Sequence, residues 1–366
     1  DTDLRARDLT EKGILFLVVG VSGGEDGARH GASIMPGGPR EAYDRVRPLL
    51  EAVAAKVDGD PCVAYLGPGS AGHFVKMVHN GIEYALMQLL AETYDLMKRG
   101  LGLNDDGLSD VYHIWNQGEL GSYLLEITSR IFRKVDETTG KPLIDEILDV
   151  AKQKGTGLWT SQSAMELQVL IPTIDLAVAM RDLSVFEQQR ETAGELFRRP
   201  VSPFAGDRPL FLDQLKHALY AGMVIAFARG MAVLTAASER YGYHLGLEAM
   251  ARIWRGGCII RAALLEDIRM AYHNQPGLPN LLLAPDLSKK IMANEQNLRR
   301  VVRTAIEFEL PTLCFMTALG YFDGYRSAWL PANLIQAQRD YFGAHSYERM
   351  DVKGTYHTDW AEALSS

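Results

Sequence analysis

Residues 69–100 read GSAGHFVKMVHNGIEYALMQLLAETYDLMKRG, and their spacing predicts one long helix with an unusual polar stripe. Ser70 stands as its N-cap, and Gly100, after Lys98 and Arg99, as its stop. So bounded, the helix has about 29 residues and a length of about 43 Å. At about 100° per residue, His73, Lys76, His79, Asn80, Glu83 and Tyr84 fall within roughly 140° of its circumference. Phe74, Val75, Met77, Val78, Ile82 and Leu86 take much of the rest. A solvated face would be longer and richer in Lys/Glu pairs. Two imidazoles, an amine, an amide, a carboxylate and a phenol form a set suited to proton transfer beside a polar ligand.

Upstream of this helix the pattern is βα. Residues 1 to 13 read as helical, and ILFLVVG at 14–20 is an apolar, β-rich run leading into Ser22-Gly23-Gly24, which predicts a buried, parallel-type strand ending in a tight loop. A second short strand fits Ala32 to Met35, a helix Arg40 to Val57, and CVAYL at 62–66 a further strand. These are too few strands for a complete doubly wound sheet, so residues 1–69 read as part of a Rossmann-type coenzyme domain. Residues 70–326 carry helical patterns joined by polar loops, and 327–366 read as an extended tail rich in Tyr, His, Arg and Asp. The fold class is therefore α/β plus all-α.

The helical part contains a repeat. IWNQGELGSYLLE at 114–126 echoes IWRGGCIIRAALLE at 253–266, and Lys76 aligns with Lys216 at nearly the same offset. Opposite His79, Asn80 and Glu83 the second copy has Leu219, Tyr220 and Met223, so only the first copy keeps the polar set. A functional stripe predicts that asymmetry; a merely solvated one does not require it.

Composition narrows the class. With 366 residues, 47% hydrophobic and 23% charged, the chain is long enough for two or three cores. A formal net charge of −8 offers no basic field for phosphodiester backbones, so nucleic acid is not an expected partner. Cys62, Cys258 and Cys314 are far apart and lack metal-ligand spacing, which predicts no metal site and a reducing, cytoplasmic compartment. The apolar run Ala218 to Ala237 is broken by Arg229 and reads as a core helix rather than a membrane span.

Two loops and one arginine add anion chemistry. Ser22-Gly23-Gly24 follows a strand, and its glycines allow backbone N–H groups to approach an anion, with the Ser hydroxyl as a further donor. Lys154-Gly155-Thr156-Gly157 pairs a cation with a hydroxyl, a combination that suits a phosphate or an inter-helix connection. Arg181, in the apolar helix LAVAMRDL, requires a carboxylate such as Asp182 or Asp175, a carbonyl or a ligand anion if it is buried.

Five stretches in order, GVSGGEDGARHGASIMPGG (20–38), GHFVKMVHNGIEY (72–84), KGTGLWT (154–160), IWRGGCIIR (253–261) and PANLIQAQRDYFGAH (331–345), resemble the decarboxylating 6-phosphogluconate dehydrogenase family. The resemblance implies an NADP-binding Rossmann-type domain, a duplicated all-helical domain and a tail reaching into the partner subunit of a homodimer. It implies oxidative decarboxylation of 6-phosphogluconate to ribulose 5-phosphate, with Lys76 as general base and Glu83 as the acid that protonates C1 of the enediol. Ser22, Gly23, Gly24, His79 and Asn80 would hold the carboxylate and hydroxyl end of the substrate. Tyr84, Lys154, Thr156 and Arg181 would gather at its phosphate, with Arg339 and His345 supplied by the other subunit's tail. By the same resemblance, about a hundred opening residues of the family pattern are expected to be missing, together with the main coenzyme-binding segment, so no cofactor-binding residues are assigned. Leu158, Gly222-Met223 and Ala32 depart from the family pattern at positions given no catalytic role. Two other readings stay open: a related β-hydroxyacid dehydrogenase, and a non-catalytic helical dimer that binds sugar phosphate.

Overall fold

The computed structural model describes residues 2–197 and 204–360. Their contacts divide the chain into two compact units, Asp1–Leu319 and Gly320–Ser366.

The first unit opens with α1 (Thr2–Glu11), β1 (Val18–Ser22), α2 (Gly24–His30), β2 (Ser33–Gly37) and α3 (Arg40–Val53). β1 pairs with β2 in antiparallel register, Val18 opposite Gly37 and Ser22 opposite Ser33. This corrects the parallel reading of the ILFLVVG run, and only its last residues enter the strand; Ile14 and Leu15 are exposed. Apolar character announced burial there, but the turn through the seven-residue α2 brings β2 back alongside. The stretch at 62–66 is not a strand. It runs beside β2 through a parallel bridge between Ile34 and Val63, with Ile34 N–H donating to the Cys62 carbonyl (2.9 Å) and Leu66 N–H to that of Pro36 (2.9 Å). α3 ends at Val53, short of the predicted Val57, because Ala54 turns extended to bridge Ala32 and the chain forms a small hairpin, β3 (Lys56–Val57) with β4 (Asp60–Pro61).

α4 (Ala71–Asp95) is the long predicted helix, with a π-helical turn, Leu96–Gly100, replacing its expected last turn. Ser70 precedes it but does not cap it through its side chain. Its hydroxyl donates to Asp3 (3.1 Å) and meets the Tyr243 hydroxyl (2.9 Å). α5 (Asp105–Asn116) and α6 (Tyr123–Ile131) start at side-chain caps from Asn104 and Ser122. α7 (Thr156–Glu166), α8 (Pro172–Ser184) and α9 (Glu187–Leu196) complete the first copy. The second copy runs α10 (Arg208–Tyr241), α11 (Leu247–Ile253), α12 (Leu264–Asn274), α13 (Pro285–Glu307) and α14 (Leu313–Arg326). α10 packs along α4 and α13, and its apolar window is largely buried in protein, as a core helix requires.

The two copies meet at equivalent residues. Ser122 bridges Ala262 in antiparallel fashion, with Tyr123 N–H donating to the Arg261 carbonyl (3.0 Å) and Ala263 N–H to that of Gly121 (2.8 Å). An offset of 140 maps Ser122 on Ala262 and exchanges these two hydrogen bonds, so a local twofold relation passes through the bridge.

The second unit is not the extended tail its composition suggested. It holds the remainder of α14, then α15 (Ala332–Gly343) and a hairpin of β5 (Tyr347–Glu348) with β6 (Thr355–Tyr356). Asp340, buried at its centre, gathers these pieces through hydrogen bonds that no periodicity announces.

Candidate active site

The site is built on α4 because backbone lies unusually close to it. A Cβ on Gly20 of β1 would sit 2.4 Å from the Lys76 Cβ, and one on Gly72 would sit 2.3 Å from the carbonyl oxygens of Val18 and Met35. Only glycine permits that approach, which sets the sheet on the first turns of the helix. On the other side, α7 crosses α4 at Gly81 against Thr160 and at Gly157 against the Tyr84 ring. The crossing is pinned by the Thr160 hydroxyl donating to the Met77 carbonyl (2.9 Å).

Within this frame the Lys76 amine donates to Asn80 Oδ1 (2.7 Å) and lies 3.2 Å from His79 Nδ1. The Asn80 amide donates onward to the Thr156 hydroxyl (3.2 Å), tying the stripe to the first residue of α7. Glu83 lies one turn further along, its Oε2 3.8 Å from His79 Nδ1. Burial lowers the Lys76 pKa against the opposing pull of Glu83, and burial raises that of Glu83 against the opposing pulls of Lys76 and Arg181. The amine is thereby made easier to deprotonate and the acid easier to keep protonated. His79 is fully buried; desolvation, reinforced by Lys76, drives its pKa well down, so the ring is neutral. Its Nε2 and the hydroxyl of buried Ser22 have no hydrogen-bond partner among the described residues, two buried polar atoms left unsatisfied beside the stripe.

The loop Ser22-Gly23-Gly24 reaches this face through a segment that the sequence reading left without a role. Gly23, at φ +138°, has no room for a Cβ, which would fall 2.7 Å from the Gly257 carbonyl, and that carbonyl also accepts the Ser33 N–H (2.8 Å). Three residues back, Trp254 meets the His79 ring edge to face at 5.6 Å. Residues 254–257 thus clasp the loop to the helix. The clue was the repeat, whose second copy replaces Asn116-Gln117 by Arg255-Gly256 beside Gly257.

At the far end, the Arg181 guanidinium lies over the Tyr84 ring, 3.4 Å from its centroid, and donates to the Lys152 carbonyl (3.5 Å), the expected carbonyl partner, instead of pairing with Asp182 or Asp175. Asp182 accepts from Gln153 (2.5 Å), and burial raises the Asp175 pKa against a hydrogen bond from Ser161. Burial lowers the Arg181 pKa, with Tyr84 and Glu83 opposing, but a guanidinium stays charged. Thr156 opens α7, whose first N–H groups suit an anion, and Lys154 stands exposed just before it. The structure thus gathers Ser22, Gly23, Gly24, Lys76, His79, Asn80, Glu83, Tyr84, Thr156 and Arg181 along one helix face, with Lys154 beside Thr156. Arg339 and His345 are exposed residues of the second unit, at the end of α15 and just past it.

A cavity of about 440 Å³ opens beside Lys76, lined also by Thr2, Asp3, Ser70, His73, Phe74, Met77, Thr156 and Trp159. The side chains of Phe74, Met77 and Trp159 give it an apolar wall beside the amine. A larger cavity of about 670 Å³ lies elsewhere, against Glu239 and Glu248 with neither Lys nor Arg in its lining, and does not suit an anion.

Both parts of the chain match known family models. The model of the 6-phosphogluconate dehydrogenase C-terminal domain matches residues 72–360, and that of the NAD-binding domain of 6-phosphogluconate dehydrogenase matches residues 1–67. The chain is 52% identical over 363 residues to a decarboxylating 6-phosphogluconate dehydrogenase of Synechococcus elongatus, covering 98% of this chain and 77% of that protein. It is 51% identical to an NADP(+)-dependent form and 49% identical to an NAD(+)-dependent form, both of Bacillus subtilis, over 77% and 78% of their lengths. Among solved structures, the Plasmodium falciparum enzyme, described as apo, with its cofactor NADP+ and with its substrate 6-phosphogluconate, superposes with a TM-score of 0.96 at 44% identity. That match covers 98% of this chain and 77% of the other. Residues 1–67, expected to be only part of a coenzyme domain, match the model of that domain, and nearly every residue of this chain aligns with a relative of which it spans 77%.

Proposed function

The chain belongs to the 6-phosphogluconate dehydrogenase family, and on that premise we propose that it oxidatively decarboxylates 6-phospho-D-gluconate to D-ribulose 5-phosphate and CO2 with NADP. The observation that carries this reading is the pair Lys76 and Glu83, two turns apart on one buried face, with proton affinities shifted in opposite senses. Neutral Lys76 takes the proton of the 3-hydroxyl. The nicotinamide, when bound, supplies the acceptor for the hydride that leaves C3. The 3-keto acid then loses its carboxylate as CO2, and the bonding pair moves toward the ketone oxygen, where the Lys76 ammonium returns its proton to give the enediol. Protonated Glu83 delivers a proton to the carbon that lost CO2, C1 of the pentose, while the hydroxyl proton returns to Lys76 and the ketone forms. His79 Nε2 and the Ser22 hydroxyl, buried without partners among the described residues, would orient the carboxylate and hydroxyl end together with Gly23, Gly24 and Asn80.

Tyr84, Lys154, Thr156 and Arg181 would grip the phosphate, and Arg339 and His345 of a second copy would complete the clamp in a homodimer with exchanged tails. In support, α15 leaves Leu334, Ile335, Tyr341 and Phe342 exposed, an apolar face that a second copy would cover. The three cysteines are buried and free, in keeping with a cytoplasmic setting.

The test is Lys76→Ala. Formation of reduced coenzyme is abolished while 6-phosphogluconate affinity stays within about tenfold, measured by absorbance and by calorimetry. Near-normal turnover removes Lys76 from the base role. An unmodified chain that binds 6-phosphogluconate and never reduces coenzyme leaves the non-catalytic binding reading in its place.

A further inference from the structure

Arg339 and His345 stand at the end of α15 and just beyond it, and a single buried carboxylate holds the backbone around both. Asp340 is wholly buried, although Arg339, Tyr341 and Phe342 on either side are exposed. Its Oδ1 accepts the Ser346 N–H (2.8 Å) and lies 2.9 Å from His357 Nδ1; its Oδ2 accepts the Thr358 N–H (3.1 Å) and the Trp360 Nε1–H (2.9 Å). Burial alone would raise its pKa. The hydrogen bonds of His357, Thr358, Trp360 and Ser346 outweigh burial and hold it at about 2, so the group is ionised throughout the neutral range.

The loop it ties would not keep this shape unaided. Ala344 and Ser346 occupy the left-handed region at φ +48° and +57°, uncommon for residues with a side chain, and the His345 ring packs edge to face on Phe342 at 5.9 Å. A second strut parallels the first: Arg339 donates to Gln336 Oε1 (3.1 Å), and the Gln336 amide donates to the Ser346 carbonyl. Both struts join the helix that carries Arg339 to the residue that follows His345.

We propose that Asp340 is the positioning residue of the tail's anion clamp, fixing the spacing of the Arg339 guanidinium and the His345 imidazole before a phosphate arrives. The inference rests on the reading of these two residues as ligands of the substrate phosphate. A clamp held in its bound geometry loses less conformational freedom on binding, so its anchor contributes to affinity without touching the ligand. Asn at this position would keep the size but replace one acceptor oxygen by a donor facing the donors of Thr358 and Trp360 or of Ser346 and His357.

The experiment titrates the full chain with 6-phosphogluconate and with unphosphorylated gluconate in a calorimeter, for Arg339→Ala, Asp340→Asn and the double variant. Asp340→Asn is expected to weaken 6-phosphogluconate about tenfold and gluconate less than about twofold, and the double variant to lose less than the product of the single losses. Equal loss of both ligands, no loss of either, or independent multiplication of the two effects overturns the proposal. Should Arg339→Ala leave 6-phosphogluconate affinity unchanged, the reading of the tail as a phosphate clamp falls, and the role of Asp340 with it. If Asp340→Asn does not fold, Trp360→Phe removes one donor with less disturbance; it is expected to show a smaller loss confined to the phosphorylated ligand, and unaltered affinity overturns the proposal.

Discussion

Lys76 and Glu83 owe their complementary proton affinities to the same burial, which penalises a charge on either group. The difference lies in the sign of the charge: withdrawing water from an amine favours its neutral form, which can accept a proton, and withdrawing it from a carboxyl favours its neutral form, which can give one. Glu83→Gln keeps the shape and removes the transferable proton. It is expected to bind 6-phosphogluconate within about threefold of the unmodified chain, unfold within about 2 °C of it, and release no ribulose 5-phosphate. Calorimetry, a thermal melt and product assay check the three parts, and normal product formation reassigns the acid. His79 has a different role. Fully buried and neutral, it can present Nε2 to a ligand only as the uncharged ring, with Trp254 holding its edge.

α4 brings these groups to bear because β1 and α7 approach it at glycines. Gly20→Ala puts a methyl 2.4 Å from the Lys76 Cβ and 2.7 Å from the Gly72 carbonyl, so strand or helix has to move. A destabilisation of about 1–3 kcal/mol is expected from such overpacking, read by chemical denaturation, together with a loss of turnover as Lys76 shifts. Unchanged stability would mean that β1 retreats freely. At its other end α4 caps α14: Glu92 accepts the backbone N–H groups of Cys314 (2.8 Å) and Phe315 (3.0 Å) and the Gln88 amide (3.3 Å). Burial nevertheless outweighs these bonds and raises its pKa to about 7. Because the folded-state value lies above the unfolded one, near 4.5, the folded chain binds the extra proton between them and stability falls as pH rises across that window. The contribution is about 3 kcal/mol. In Glu92→Gln this part of the pH dependence disappears, and parallel stability profiles for the two chains from pH 4.5 to 7 would remove Glu92 as its source.

Across the molecule, duplication supplied a scaffold of which one half carries the polar set. The Ser122 and Ala262 bridge joins the copies at equivalent points, yet only α4 carries the His79, Asn80 and Glu83 set; α10 has Leu219, Tyr220 and Met223 there and packs its apolar length into the core. The second unit adds two exposed groups with basic nitrogens, Arg339 in α15 and His345 on the loop after it, which Asp340 gathers. Deleting residues 338–366 is therefore expected to weaken 6-phosphogluconate more than gluconate, checked by calorimetry. Equal losses would argue against a phosphate role for the tail.

The polar face of α4 is legible in the sequence, because a helix repeats every 3.6 residues whatever surrounds it, so Lys76, His79, Asn80, Glu83 and Tyr84 have to share one side. The doubled Trp-bearing motif betrayed the repeat for a similar reason: it is a pattern along the chain. Strand pairing was not legible, since ILFLVVG announces burial and says nothing about its neighbour, and β2 returned antiparallel. Nor was the Tyr84 ring over which Arg181 lies, although a carbonyl, that of Lys152, was among its expected kinds of partner, or the clasp of Trp254 and Gly257 on His79 and Gly23. Spacing along one element is a local property of backbone geometry. Which surfaces meet across elements is settled by packing among residues tens to hundreds of positions apart, and there the burial that tunes Lys76 and Glu83 arises.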